Sequence, residues 1–262
     1  MTSESNLPGL TPAQIDAFAA DGFVRLDNAF PRALADEAAA ILWRDAGCDP
    51  ADPASWHSPV IRLGQYGQPV FREAANTPPL HAAFDQLVGA GRWLRPRAVG
   101  TFVLRFPSPD APNDDGWHID VSFGTESPDF LDWRANVASR GRALLMLFLF
   151  SDVGADDAPT RIRAGSHIDI ARQLAPAGEA GLTLRDLVAD GFAGSAYRRE
   201  VLATGSAGTV YLCHPFLVHA AQPHRGTRPR ILAQPPLLPA MPLDPWRADA
   251  APVEAAIRDA LG

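Results

Sequence analysis

The stretch "DDGWHIDVSF" (Asp114–Phe123) alternates without a break: Trp117, Ile119, Val121 and Phe123 on one side, His118, Asp120 and Ser122 on the other. A period of two predicts a strand with one apolar face. Residues i and i+2 of a strand point the same way about 6–7 Å apart, so His118 and Asp120 can both reach an ion lying above them. Taken alone, a solvated polar face explains the pair better, and only a third ligand downstream reverses that. The same tripeptide recurs in "RAGSHIDIAR" (Arg163–Arg172). There Ser166 follows a glycine, Asp169 stands three residues on, and Ile168, Ile170 and Leu174 continue at helical spacing. That pattern predicts a helix with a capping box of Ser166 and Asp169. His167 and Asp169 would then lie about 200° apart around the helix, which removes the second copy as a metal site.

A third ligand is sought in "YLCHPFLVHAAQPHRGTRPRILAQ" (Tyr211–Gln234). His219 ends an apolar run where an unpartnered imidazole is costly, although a satisfied core histidine is the competing reading. His214 is expected either behind a ligand or at a pocket mouth, and His224 on an exposed turn. His118, Asp120 and His219 together make two imidazoles and a carboxylate, the set that leaves three octahedral positions open in non-haem Fe(II) oxygenases. Arg230 follows His219 by eleven residues and opens the strand "RILAQ". A hairpin through "AAQPHRGTRP" would return it beside the histidine, where a planar guanidinium can grip a carboxylate with two bonds. Arg225 and Arg228 are read as part of a solvated loop.

Outward from these motifs, short apolar runs dominate: "VIRLG", "TFVLRF", "ALLMLFLF", "EVLAT" and "GTVYLC". Pro and Gly punctuate them, with helices predicted around "PPLHAAFDQLVGAG" and "TLRDLVADGF". An N-terminal helical layer is expected over about 9–50. In it "LTPAQIDAFAADGF" carries Thr11 as N-cap, Pro12, Gln14 completing a capping box and Gly22 as stop. "FVRLD" follows as a strand, then a helix from about Pro31 to Gly47, and "VEAAIRDALG" closes the chain as a helix over about 251–261. The core of about 57–240 lacks regular strand–helix alternation. The expected class is mainly β with flanking helices, a sandwich or double-sheet jelly roll in one domain over 1–262.

With 262 residues, 47% hydrophobic and 20% charged, the chain is long enough for a substantial core. Its net charge of −7 argues against a nucleic-acid partner. All 23 basic residues are arginine. The longest apolar run, Ala143–Phe150, falls well short of the roughly 20 residues of a membrane span, and the start "MTSESNLPGL" has no signal-peptide pattern. Cys48 and Cys213 show no paired spacing and are expected as free thiols in a cytoplasmic protein.

Four segments in order resemble the phytanoyl-CoA dioxygenase family of Fe(II)/2-oxoglutarate oxygenases. They are the N-terminal "LTPAQIDAFAADGFVRLDNAF", the Trp-His-x-Asp motif in "WHID", the turn "DDAPTRIRAGSH", and "GTVYLCHPFLVHAAQPHRGTRPR". The resemblance implies a double-stranded β-helix (a cupin-like jelly roll) with iron on His118, Asp120 and His219. It further implies Arg230 on the distal carboxylate of 2-oxoglutarate, and Arg105 as a second contact to co-substrate or substrate. The implied reaction is hydroxylation of a small molecule with O2, 2-oxoglutarate being decarboxylated to succinate and CO2. Two alternatives remain: a jelly-roll metalloenzyme without 2-oxoglutarate turnover, and a non-catalytic binding module. Ala220, Ala221, His224 and Gly226 depart from the family's polar hairpin, and Asp157, Ala158 and Ala164 from its Asn-Gly and Pro turn.

Overall fold

The computed structural model describes residues 9–262; the first eight residues, on which part of the signal-peptide expectation rests, lie outside them. In chain order come α1 (Pro12–Asp21), β1 (Phe23–Leu26), α2 (Arg32–Ala46), β2 (Val60–Leu63), α3 (Pro69–Ala74), α4 (Pro78–Val88) and β3 (Phe102–Arg105). Next follow β4 (Arg134–Ala135), β5 (Leu144–Leu149), β6 (Arg161–Arg163), α5 (Ser166–Leu174), β7 (Leu182–Thr183), α6 (Leu184–Val188) and β8 (Glu200–Leu202). The chain ends through β9 (Val210–Cys213), β10 (His219–Ala220), β11 (Arg230–Ala233), β12 (Pro236–Leu237) and α7 (Pro252–Leu261).

Two antiparallel sheets face each other. The larger runs β1-β9-β5-β11-β3-β2, with β12 also on β5; the smaller runs β10-β6-β8. Leu145, Leu147, Leu149, Tyr211, Cys213 and Leu232 of the large sheet meet Ile162, Ala203 and Leu217 between the layers. The alternate residues, among them Leu144, Met146, Phe148, Leu212 and Ile231, pack outward against the helices with Phe18, Leu42, Phe71 and Phe84. Both faces of β5 are therefore covered, and all six of its residues are buried, which is why it reads as an unbroken apolar run. Burying each such side chain contributes about 1.5–3 kcal/mol relative to leaving it in water. This is the jelly roll with flanking helices expected from the sequence, and no helix among the described residues is long and apolar enough to cross a membrane.

Local signals set the first helix as expected. Thr11 and Gln14 form the reciprocal capping box of α1, and Gly22 ends it at φ 79°. Elsewhere tertiary contacts override local pattern. Ser166 does not cap α5: Gly165, left-handed at φ 81°, holds that place, and Ser166 Oγ accepts the Val218 N–H instead. Asp169 is taken by Arg198 and Tyr197. The segment Trp117–Phe123 is not a laddered strand but joins the sheets only through the bridges His118↔His219 and Phe123↔Arg134. "AAQPHRGTRP" is not a hairpin either, because β10 belongs to the small sheet and β11 to the large one. It is a crossover between layers.

Candidate metal centre

Three side chains converge from two segments. His118 and His219 exchange both backbone hydrogen bonds, at 3.0 and 2.9 Å, which sets their rings side by side with centroids 4.3 Å apart. Asp120 completes the group: one ligand atom from each of His118, Asp120 and His219 lies within 4.8 Å of the others. Ligand atoms bonded at about 2 Å to one ion stand about 3 Å apart at adjacent octahedral positions, so the three side chains must draw together for one ion to bond them all. The second His-Ile-Asp makes no such group: His167 is buried against the Ala19 carbonyl, and Asp169 is paired with Arg198.

The tautomers follow from the backbone. Nδ1 of His118 lies 2.9 Å from the Gly116 carbonyl oxygen, and Nδ1 of His219 lies 3.0 Å from that of Leu217. A carbonyl can only accept, so each Nδ1 carries the proton and each Nε2 presents a bare lone pair. His219 Nε2 is buried and has no partner, an orphan that a metal ion would satisfy. Burial, reinforced by His118, pushes His219 down to about 4 despite Asp120 nearby. For Asp120, burial works upward, but Arg142 and the two imidazoles outweigh it and hold the carboxyl below its ordinary range. At neutral pH His219 and Asp120 are thus both deprotonated, the state that binds a cation. Cys213 is no rival ligand: burial and Asp120 drive its thiol far up, so it stays protonated.

Surrounding side chains fix the two ligand-bearing segments to each other. From β6, Arg161 donates to the Ala221 carbonyl beyond His219 and to the Asp115 carbonyl ahead of His118. Its guanidinium and that of Arg163 lie 4.6 and 4.1 Å from the Trp117 ring centroid, a cation–π clamp on the residue before His118.

Arg230 is opposite Arg105 in the β11–β3 register. It shares the face of Leu232, which points between the sheets, so Arg230 also points inward and is buried. Its Nη1 donates to the Ala158 carbonyl, while its Nε has no partner. Burial, with Arg105 close by, pushes it down to about 9. Arg105 is buried too and places Nη2 at 2.7 Å from both oxygens of Asp114, a carboxylate that Arg62 also holds. The expected second contact is therefore engaged by the protein's own acid. Ala158, where the resembling turn has glycine, adopts φ 52°, and Asp157 accepts the Gly154 N–H through its side chain.

Two expectations are corrected. His214 is not at a pocket mouth: it is fully buried between Phe18, His167 and Phe216, with Nε2 donating to Val253. His224 is not exposed but buried, bonding Arg228 and Gly226 within its own turn. One neighbour of the centre was not foreseen. Arg142, just ahead of β5, sets Nη1 3.0 Å from Asp120 Oδ2. Nothing in "ASRGRALLM" signals this, because the contact is made only when the turn folds back on the Asp120 segment.

No family model matches the chain, and no curated protein does. Solved structures do match. EctD from S. alaskensis with 2-oxoglutarate and 5-hydroxyectoine is 20% identical over 93% of this chain and 79% of its own, with a TM-score of 0.56. SnoN, a non-haem α-ketoglutarate-dependent epimerase from nogalamycin biosynthesis, is 18% identical over 85% and 80%, with a TM-score of 0.56. HygX from Streptomyces hygroscopicus with nickel, 2-oxoglutarate and hygromycin B is 20% identical over 86% of each chain, with a TM-score of 0.53. At these identities the likeness is one of fold, shared with enzymes that depend on iron and 2-oxoglutarate.

Proposed function

We propose that this chain is an Fe(II)/2-oxoglutarate-dependent dioxygenase of the phytanoyl-CoA dioxygenase type that hydroxylates a small molecule at an unactivated C–H bond. The observation that carries the reading is the convergence of two Nδ1-protonated imidazoles and one ionised carboxylate, with an orphaned Nε2 on His219. His118, Asp120 and His219 would hold Fe(II). When bound, iron with 2-oxoglutarate and O2 supplies the oxidising power, and succinate and CO2 are the co-products.

The protein's own contribution is charge and orientation. Arg230 is a buried guanidinium with an unused N–H and a depressed pKa, both of which the far carboxylate of 2-oxoglutarate would relieve. Arg105 adds positive charge beside it, with its Nη2 engaged by Asp114 and its Nε unpartnered. The structurally similar SnoN is described as an epimerase and SnoK as a carbocyclase, so hydroxylation is the outcome proposed and the product's identity is part of the test. The free buried thiols Cys48 and Cys213 suit the cytoplasm, which we take as its location.

The test is succinate formation. Anaerobic protein loaded with Fe(II) and 2-oxoglutarate is exposed to O2 with candidate substrates, beside Arg230→Ala. Succinate from wild type and at least tenfold less from the variant supports the reading. Stoichiometric iron binding with no succinate from any substrate would favour the metalloprotein that does not use 2-oxoglutarate.

A further inference from the structure

We infer that Arg142 is a positioning residue that sets the charge of the centre, weakening its hold on a cation and strengthening its hold on an anionic chelate. The inference rests on the site proposed above and deepens it.

Three observations carry it. Arg142 Nη1 lies 3.0 Å from Asp120 Oδ2, with the Arg142 side chain 14% and Asp120 24% exposed. Second, neither Nε nor Nη1 of Arg142 has a hydrogen-bond acceptor, although both atoms are buried. The contact with Asp120 is thus an ion pair without an aligned hydrogen bond, and two N–H groups still lack acceptors beside the proposed ion. Buried donors left in this state are costly. Third, the backbone is built to present the side chain. Ser139, at φ 39°, accepts the Arg142 N–H through its carbonyl and donates its hydroxyl to the Arg142 carbonyl at 2.6 Å. Gly141 packs so tightly that a Cβ there would stand 2.2 Å from the Ser122 carbonyl oxygen, two residues beyond Asp120.

The electrostatic consequence has a definite sign. Arg142 cancels the charge of Asp120, so the protein ligands with their neighbour are neutral before metal binds. A divalent ion then makes the centre doubly rather than singly positive. The guanidinium repels the incoming cation and competes for a carboxylate oxygen, so it disfavours the metal. Once the ion is in place, the extra charge and the unused N–H groups favour a carboxylate chelating the open face. Removing the charge should move the two affinities in opposite directions, which a merely structural role would not do.

The experiment uses the full chain and Ni(II) as a redox-inert probe. Ni(II) is titrated calorimetrically into metal-free protein, and 2-oxoglutarate into the Ni(II)-loaded protein, at one fixed pH. Wild type is compared with Arg142→Gln, Arg142→Met and Arg142→Lys, each checked for its unfolding midpoint. The two neutral variants are expected to bind Ni(II) about tenfold more tightly and 2-oxoglutarate about tenfold more weakly, with Arg142→Lys within about twofold of wild type in both. Unchanged affinities, a loss of both together, or loss of folding in both neutral variants would each overturn the assignment while leaving the metal site standing. Failure of wild type to bind Ni(II) at all would overturn the site and this inference together.

Discussion

Two backbone carbonyls, of Gly116 and Leu217, decide what His118 and His219 can do. By accepting from Nδ1–H they leave the Nε2 lone pair of both imidazoles free to bind a cation without any further residue. Arg230 shows the complementary principle, a donor held in place ahead of its acceptor. Its neighbour on the adjacent strand, Arg105, has the Asp114 carboxylate as a partner, whereas Arg230 has only the Ala158 carbonyl. Arg230→Ala is expected to raise the dissociation constant for 2-oxoglutarate by about a hundredfold, as for a lost charge-assisted pair of bonds of about 3 kcal/mol. Metal affinity should change little. Calorimetric titration of the Ni(II)-loaded variant checks both statements, and an unchanged 2-oxoglutarate affinity would remove Arg230 from the site.

The helices depend on a few positions where backbone and packing leave no choice. Gly22 ends α1 in the left-handed region, and a Cβ there would stand 2.4 Å from His167 Nδ1. Gly22→Ala should therefore cost about 2 kcal/mol or more in denaturant unfolding. A loss below about 0.5 kcal/mol would show that α5 can shift to make room. His167 and His214 join α1, α5 and α7, with ring centroids 4.9 Å apart. Burial pushes His167 down to about 4, with Arg198 adding to the shift, and burial and His167 hold His214 well below its ordinary value. Unfolded, each would titrate near 6.5. Between pH 6.5 and 4 the unfolded chain thus binds protons that the folded one does not, and stability falls as pH falls through that window. Metal-free protein should lose about 2 kcal/mol between pH 7 and pH 5 from His167, with His214 acting in the same direction, measured by urea unfolding; His167→Gln should flatten the slope. Elements with local signals were legible in the sequence, such as the capping box of α1 and the apolar run of β5. Those made by distant partners were not. Ser166 has the form of a cap, yet its hydroxyl serves Val218, and two-residue β10 exists only because β6 and the His118 segment flank it. That His118, Asp120 and His219 converge was legible from residue type and spacing, whereas Arg142, His214 and His224 take their surroundings from chain crossings that no local pattern records.

In the whole molecule, the site sits where the small sheet and the Trp117–Phe123 segment meet, while Arg230 comes from the large sheet across the core. A ligand that touches both ties the two layers together. Metal alone, at a hundred times its dissociation constant and bound only by the folded chain, should stabilise the fold by about 2.7 kcal/mol, and His219→Ala should abolish that gain. Thermal or urea unfolding with and without Ni(II) reads it directly. The most direct measurement is a crystal structure of the protein with Ni(II) and 2-oxoglutarate. One ion is expected, bonded at about 2.1 Å to His118 Nε2, Asp120 and His219 Nε2, with the far carboxylate of 2-oxoglutarate on Arg230. An ion bound elsewhere, or a co-substrate that leaves Arg230 on Ala158 alone, would contradict it.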